Sequence, residues 1–149
     1  KKRQEFFQKF VEDMNAISNV IEGTTDKKYN DIFTKRGVVI SGSEETVFYI
    51  SKLLATVNAI KHECPIVMDS FRAEDLSTEK ENRALNLFLE LNKQCILTTT
   101  IKKEEKGKYD SFPKIHIIDY TEHTTNKLLS PDYNDEFISI LGTMNILLK

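Results

Sequence analysis

The sequence predicts an α/β layered domain with mainly parallel strands, and three observations carry that expectation. Ile66-Val67-Met68 is an uninterrupted apolar run ending in Asp69, the pattern of a strand buried on both faces with a polar group at its C-terminal end. A second run, Gln94-Cys95-Ile96-Leu97-Thr98-Thr99, has the same character. Between them Ser77, followed by Glu79 and Glu81, opens a helix with Leu85, Phe88, Leu89 and Asn92 on one face. Strand, loop, helix and strand over roughly 35 residues make a βαβ unit, which implies parallel strands and a right-handed crossover.

The remaining elements follow from periodicity. Residues 1–22 read as one helix, because Phe7, Phe10, Val11, Met14, Ile17, Ser18 and Ile21 fall at three- and four-residue spacings. Gly23-Thr24-Thr25 stops it. So narrow a stripe fits either a helix packed on a domain or the end of a longer coiled coil. Asp26–Arg36 is polar and irregular, and Gly37-Val38-Val39-Ile40 is a short β-branched run ending at Ser41-Gly42-Ser43. Glu44–Ile60 reads as a helix with Val47, Ile50, Leu53, Leu54, Val57 and Ile60 at helical intervals. Ser43 would cap it, and Glu44 and Glu45 suit the positive end of its dipole. Lys61–Pro65 turns the chain, Ser70–Leu76 is a loop, and Lys102–Lys108 is a charged, mobile one. Ile115–Tyr120 alternates as a third strand, Lys127-Leu128-Leu129 is a short edge strand, and Asp135–Leu141 a final helix.

Composition narrows the function classes. A chain of 149 residues, 40% hydrophobic and 30% charged, suits one domain with one core. A net charge of −2 gives no global basic field that would mark a nucleic-acid surface. No apolar run is long enough to cross a membrane, so no membrane partner is expected. Cys64 and Cys95 make no disulfide scaffold; both lie at or beside expected strands, which favours reduced thiols and a cytoplasmic address. The opening Lys-Lys-Arg, without Met, leads us to expect an internal piece of a longer chain. Glycines at 23, 37, 42, 107 and 142 are not spaced for a P-loop. Histidines at 62, 116 and 123 have no partners at zinc spacing, and no nucleophile elbow surrounds Ser43.

The informative pattern is an ordered set. Ile40-Ser41-Gly42-Ser43-Glu44 stands at the mouth of a helix, and Asp69 ends an apolar strand 28 positions after Ser41. A loop with Glu74 and Asp75, a helix, and a strand ending in Thr98-Thr99-Thr100 follow. This order resembles the C-terminal lobe of a P-loop, ABC-type ATPase head of the SMC and double-strand-break-repair class. The resemblance covers residues 1–101. It takes 40–44 as the signature motif, with Ser43 in place of a glycine, and 65–69 as the Walker B strand. It places the D-loop around Glu74-Asp75 and the switch strand at 94–100. Residues 1–22 become the end of a coiled coil, and 23–149 the α/β lobe.

The resemblance implies ATP and Mg²⁺ as ligands, both requiring an N-terminal lobe outside this sequence. Ser41, Gly42, Ser43 and Glu44 would grip a γ-phosphate, since a hydroxyl, a glycine and helix N-terminal amides form an anion site. Asp69 would orient the Mg²⁺ shell at the carboxyl end of its strand. Two positions depart from the family: Ser70 stands where a catalytic Glu is usual, and Thr100 where a His is usual. Serine cannot be a general base at neutral pH, so Glu74, then Asp75, are the candidate substitutes, and Lys102 a candidate positive charge. Implied partners are the chain's own N-terminal lobe, a second head in a homodimer, DNA near Lys1, Lys2, Arg3 and the 102–108 loop, and an accessory or nuclease subunit. ATP binding and hydrolysis would then drive head dimerisation in DNA repair, chromosome maintenance or antiphage defence. Two other readings stand beside it. One is a non-catalytic α/β domain for dimerisation or partner docking; the other is a metal-dependent enzyme using Asp69 and Asp75, with Asp119 as a third carboxylate.

Overall fold

The computed structural model describes residues 1–26, 28–33, 42–60, 62–72, 76–120 and 134–143. The chain divides into two compact units, Lys1–Lys106 and Gly107–Lys149. The first holds α1 (Lys2–Glu22), α2 (Gly42–Ala59), β1 (Ile66–Met68), α3 (Thr78–Glu90), β2 (Cys95–Leu97) and a 3₁₀ turn at Lys103–Glu105. The second holds α4 (Asn134–Thr143). The expected strands at 37–40 and 127–129 lie outside the described residues.

Helix α1 follows its apolar stripe. Met14, Ser18 and Ile21 are buried, Phe10 and Ile17 are half-buried, and Phe6 near the free end is exposed. It packs chiefly on α2 and also on α3. Gly23 ends it in the left-handed region (φ 72°), its N–H donating to Asn19 O at 2.8 Å. Glycine suits the left-handed φ, which disfavours a side chain; a Cβ would also meet Arg83 Nη1 at 2.5 Å, but that is the end of a flexible side chain able to shift. Periodicity does not anticipate Asn15, which is buried beside the stripe. Its Nδ2 donates to Tyr29 O at 2.8 Å and Val11 O at 2.9 Å, while its Oδ1 accepts from Lys28 N and Tyr29 N, both at 2.9 Å. One amide thereby fastens the following loop to the helix, and Tyr29 meets Phe48 of α2 edge to face at 5.2 Å.

Helix α2 begins at Gly42, two residues before the periodicity places it. Ser43 therefore lies inside the first turn and is not the cap. Glu44 and Glu45 keep their place in that turn. Burial reaches well beyond one stripe, taking in Thr46, Val47, Phe48, Ile50, Ser51, Leu54, Ala55 and Val57, whereas Ile60 lies past the helix end and is exposed. Met14, Phe48 and Ala55 form the shared core with α1.

The two strands pair in parallel, Ile66 with Cys95, Val67 with Ile96 and Met68 with Leu97. Burial on both faces is corrected. Ile66 is 4% exposed, but Val67 is 62% and its partner Ile96 45% exposed, so one face of the sheet is open. Helix α3 is capped by Ser77, whose hydroxyl accepts from Lys80 N at 3.4 Å. Ala84, Leu85 and Phe88 are buried, with Phe88 against Phe71 at 6.0 Å between centroids; Asn92 lies beyond the helix and is exposed. Glu81, anticipated as a start signal, is wholly buried. The charged segment after β2 is not a mobile loop at its start: Lys103–Glu105 forms a 3₁₀ turn, and Lys102 N–H donates to Glu105 Oε2 at 3.2 Å.

In the second unit, 107–115 winds through successive turns closed by Asp110 N–H to Gly107 O, Phe112 N–H to Tyr109 O and Ile115 N–H to Phe112 O. The expected third strand is corrected here. Residues 115–119 have no regular structure, because among the described residues no backbone ladder supports them, and Ile117 and Ile118 are both exposed. Helix α4 starts one residue before its expected position and ends two after it. Among the described residues, no helix is long and apolar enough to cross a membrane.

Candidate functional site

Parallel pairing in this register brings both strands' carboxyl ends to the same edge of the sheet, where Asp69 and Thr98 meet. Thr98 Oγ1 donates to Asp69 Oδ1 and accepts from Ser70 N–H at 2.9 Å. The backbone ladder runs on past the strands, with Thr98 N–H donating to Met68 O at 3.1 Å and Phe71 N–H to Thr98 O at 2.8 Å. To turn away from the sheet here the chain places Ser70 at φ 54°, the one non-glycine residue in the left-handed region among the described residues. Such a conformation costs about 1–2 kcal/mol, and it is repaid by the hydroxyl that receives the Ser70 amide. Asp69, Ser70, Thr98 and Thr100 are all exposed.

The sequence-derived site residues divide three ways. Asp69 and Ser70 come together on Thr98, a residue the site reading did not include. Thr100 lies two positions further on, exposed. Gly42, Ser43 and Glu44 form the first turn of α2, where Glu44 is 3.7 Å from Lys28 Nζ, which also approaches Glu22 at 3.4 Å. Ser41, Glu74 and Asp75 lie outside the described residues.

A second cluster, also missed from sequence, centres on Arg72, three residues after Asp69. Arg72 Nε is 3.2 Å from Glu81 Oε2, and the same guanidinium donates twice to Glu105, Nη1 to Oε2 at 2.9 Å and Nη2 to Oε1 at 2.8 Å. Glu81 is fully buried; Arg72 and Glu105 are about one-fifth exposed. The signal for a buried Glu81 was weak but present: it falls four residues before Leu85 and seven before Phe88, on the helix's inner face.

Burial raises the Cys95 thiol above its ordinary range, which makes it a poor nucleophile. Among the described residues no three His, Cys, Asp or Glu side chains gather as a metal site. A carboxylate has about four acceptor positions, so Asp69, with one oxygen held by Thr98, retains capacity toward a cation. Mg²⁺ characteristically takes one or two carboxylates and fills its shell with water and phosphate oxygens, and an exposed Asp69 fits that pattern. No family model matches this chain, nor does any curated protein or solved structure.

Proposed function

We propose that this chain is the C-terminal lobe of an ABC-type ATPase head of the SMC and double-strand-break-repair class. The observation that carries this reading is the parallel register that sets Asp69 beside Thr98 at the carboxyl end of the sheet. Ligands collect at that end in open α/β sheets. The open Val67–Ile96 face supports it as well, since parallel sheets are normally covered on both sides and a neighbouring lobe would supply the cover.

In this reading ATP is the substrate and brings Mg²⁺ with it. Asp69 holds the cation side on this lobe, while Ser41, Gly42, Ser43 and Glu44 grip the phosphate carried by a second copy of the head. Thr98 fixes the Asp69 carboxylate in one rotamer, and the Ser70 amide fixes Thr98. Ser70 does not take a proton at neutral pH, so Glu74, or failing it Asp75, polarises the attacking water. Thr100 hydrogen-bonds without carrying charge. The chain's remaining partners are its own N-terminal lobe, DNA and an accessory or nuclease subunit, in DNA repair, chromosome maintenance or antiphage defence, within the cytoplasm.

The test is ATP turnover and ATP-dependent self-association of the native full-length polypeptide, followed by phosphate release and light scattering. Asp69→Asn should abolish turnover, and Ser41→Glu, which sets a carboxylate against phosphate, should abolish self-association. Glu74→Gln should lower turnover by about 10²-fold or more; an unchanged rate removes Glu74 from the mechanism. Ser70 and Thr100, standing where the family has Glu and His, favour the alternative of a non-catalytic docking domain. Self-association indifferent to ATP, with no phosphate released, would establish that alternative and overturn the ATPase.

A further inference from the structure

Two segments leave the carboxyl end of the sheet: residues 69–72 after β1, and 98–106 after β2. The first turns through a strained Ser70, and the second carries Lys102, Lys103 and Lys106 into water. Arg72 connects them. Its Nε meets Glu81 in the first turn of α3, and its two terminal nitrogens clasp Glu105 in the 3₁₀ turn, 33 positions away along the chain. Glu105 in turn accepts the Lys102 amide, which closes that turn. A planar guanidinium can engage a carboxylate with two parallel bonds and present a third donor elsewhere, which a lysine cannot.

We propose that Arg72 is a positioning residue that locks these two segments and the start of α3 into one mechanical unit. A displacement of the Thr98–Lys106 segment is thereby transmitted to the chain after Asp69, and the reverse. That the locked segments face a nucleotide rests on the function proposed above; the lock itself does not. Glu81 is the fixed end, wholly buried and held in a helix, and Glu105 the movable end, reached by solvent.

Amide hydrogen exchange of the chain, without nucleotide, tests it. The reporters are Phe71, whose N–H donates to Thr98 O, and Glu81, whose N–H donates to Ser77 O. Glu105→Ala alters neither bond directly, yet it should speed exchange at both amides by about fivefold or more, because Arg72 loses one of the anchors it has among the described residues. Arg72→Gln should speed both further. In the Arg72→Gln background Glu105→Ala should then add less than about twofold, since the route through Arg72 is gone. Should Arg72→Gln not fold, Arg72→Lys replaces it: it keeps a charge for Glu81, lacks the fork for Glu105, and should reproduce the Glu105→Ala pattern. Unchanged exchange at Phe71 and Glu81 in Glu105→Ala, or effects of the two substitutions that simply multiply, would overturn the lock. Because no nucleotide enters the measurement, this result stands or falls apart from ATP turnover.

Discussion

Asn15→Ala is expected to cost about 2–3 kcal/mol of folding stability. The side chain is 5% exposed and makes three bonds to the loop: one donated to Tyr29 O and two accepted, from Lys28 N and Tyr29 N. At about 1 kcal/mol net each, these are worth about 3 kcal/mol. The fourth, to Val11 O, is local to the helix and adds little. Lys28 is exposed, so its amide regains water when released, and alanine gains up to ~0.7 kcal/mol in helix propensity; both reduce the loss. Against a total of about 5–15 kcal/mol for a domain, the change is readily measured by urea titration with fluorescence and circular dichroism, at unchanged m. Asn15→Asp retains the acceptor for both amides but turns a carboxylate toward two carbonyls. It should be no better than alanine at neutral pH and recover as pH falls and the group protonates. A cost below about 1 kcal/mol for Asn15→Ala would refute the reasoning, and would assign the loop's attachment to the Tyr29–Phe48 ring contact instead.

Ser70→Gly relieves left-handed strain but loosens the unfolded chain, so thermal unfolding should show a change within about 0.5 kcal/mol, while the β-branched Ser70→Val should lose about 1–2 kcal/mol. Glu22 supplies a pH dependence. Burial pushes its carboxyl up, but hydrogen bonding and attraction from Lys80 (2.6 Å) and Lys28 (3.4 Å) outweigh that and hold it below the ordinary range. A depressed folded-state value means stability that is fully present above the ordinary glutamate range and lost as pH falls through that range and below it. Glu22→Gln should flatten that part of the stability profile, and an unchanged profile would place the acid sensitivity elsewhere.

The helices were legible because each repeats its own evidence along the sequence. The spacing of Met14, Ser18 and Ile21 is visible without any partner, and so is the Ser77 start of α3. The parallel pairing followed from the order of elements, which leaves little choice of topology. Burial of the sheet was not legible. Val67 and Ile96 are as apolar as any covered strand, and only the three-dimensional placement of neighbours decides whether such a run is covered. The candidate site, the Asp69–Thr98 pair, was half legible for a related reason. Asp69 announces itself by ending an apolar run, but Thr98 is one of three consecutive threonines and only the register selects it. Arg72 and Glu105 bond across 33 positions, a separation that leaves no periodic trace. Gly42 began α2 earlier than the apolar pattern could say, since nothing apolar marks positions 42–45.

The shortness of the sheet has a kinetic consequence. Asp69 and Thr98 stand 29 positions apart, and closing a loop of that size costs about 3 kcal/mol in chain entropy by ideal scaling. Two strands of three residues cannot recover that by themselves. We therefore expect the ribbon to assemble after α3 has drawn its ends together and the α1–α2 pair has condensed. Substitutions at Ile66 should then accelerate unfolding and leave the folding rate almost unaltered; a slowed folding rate would instead put the ribbon in the nucleus. On that expectation the strand end bearing Asp69 forms late and comes apart early.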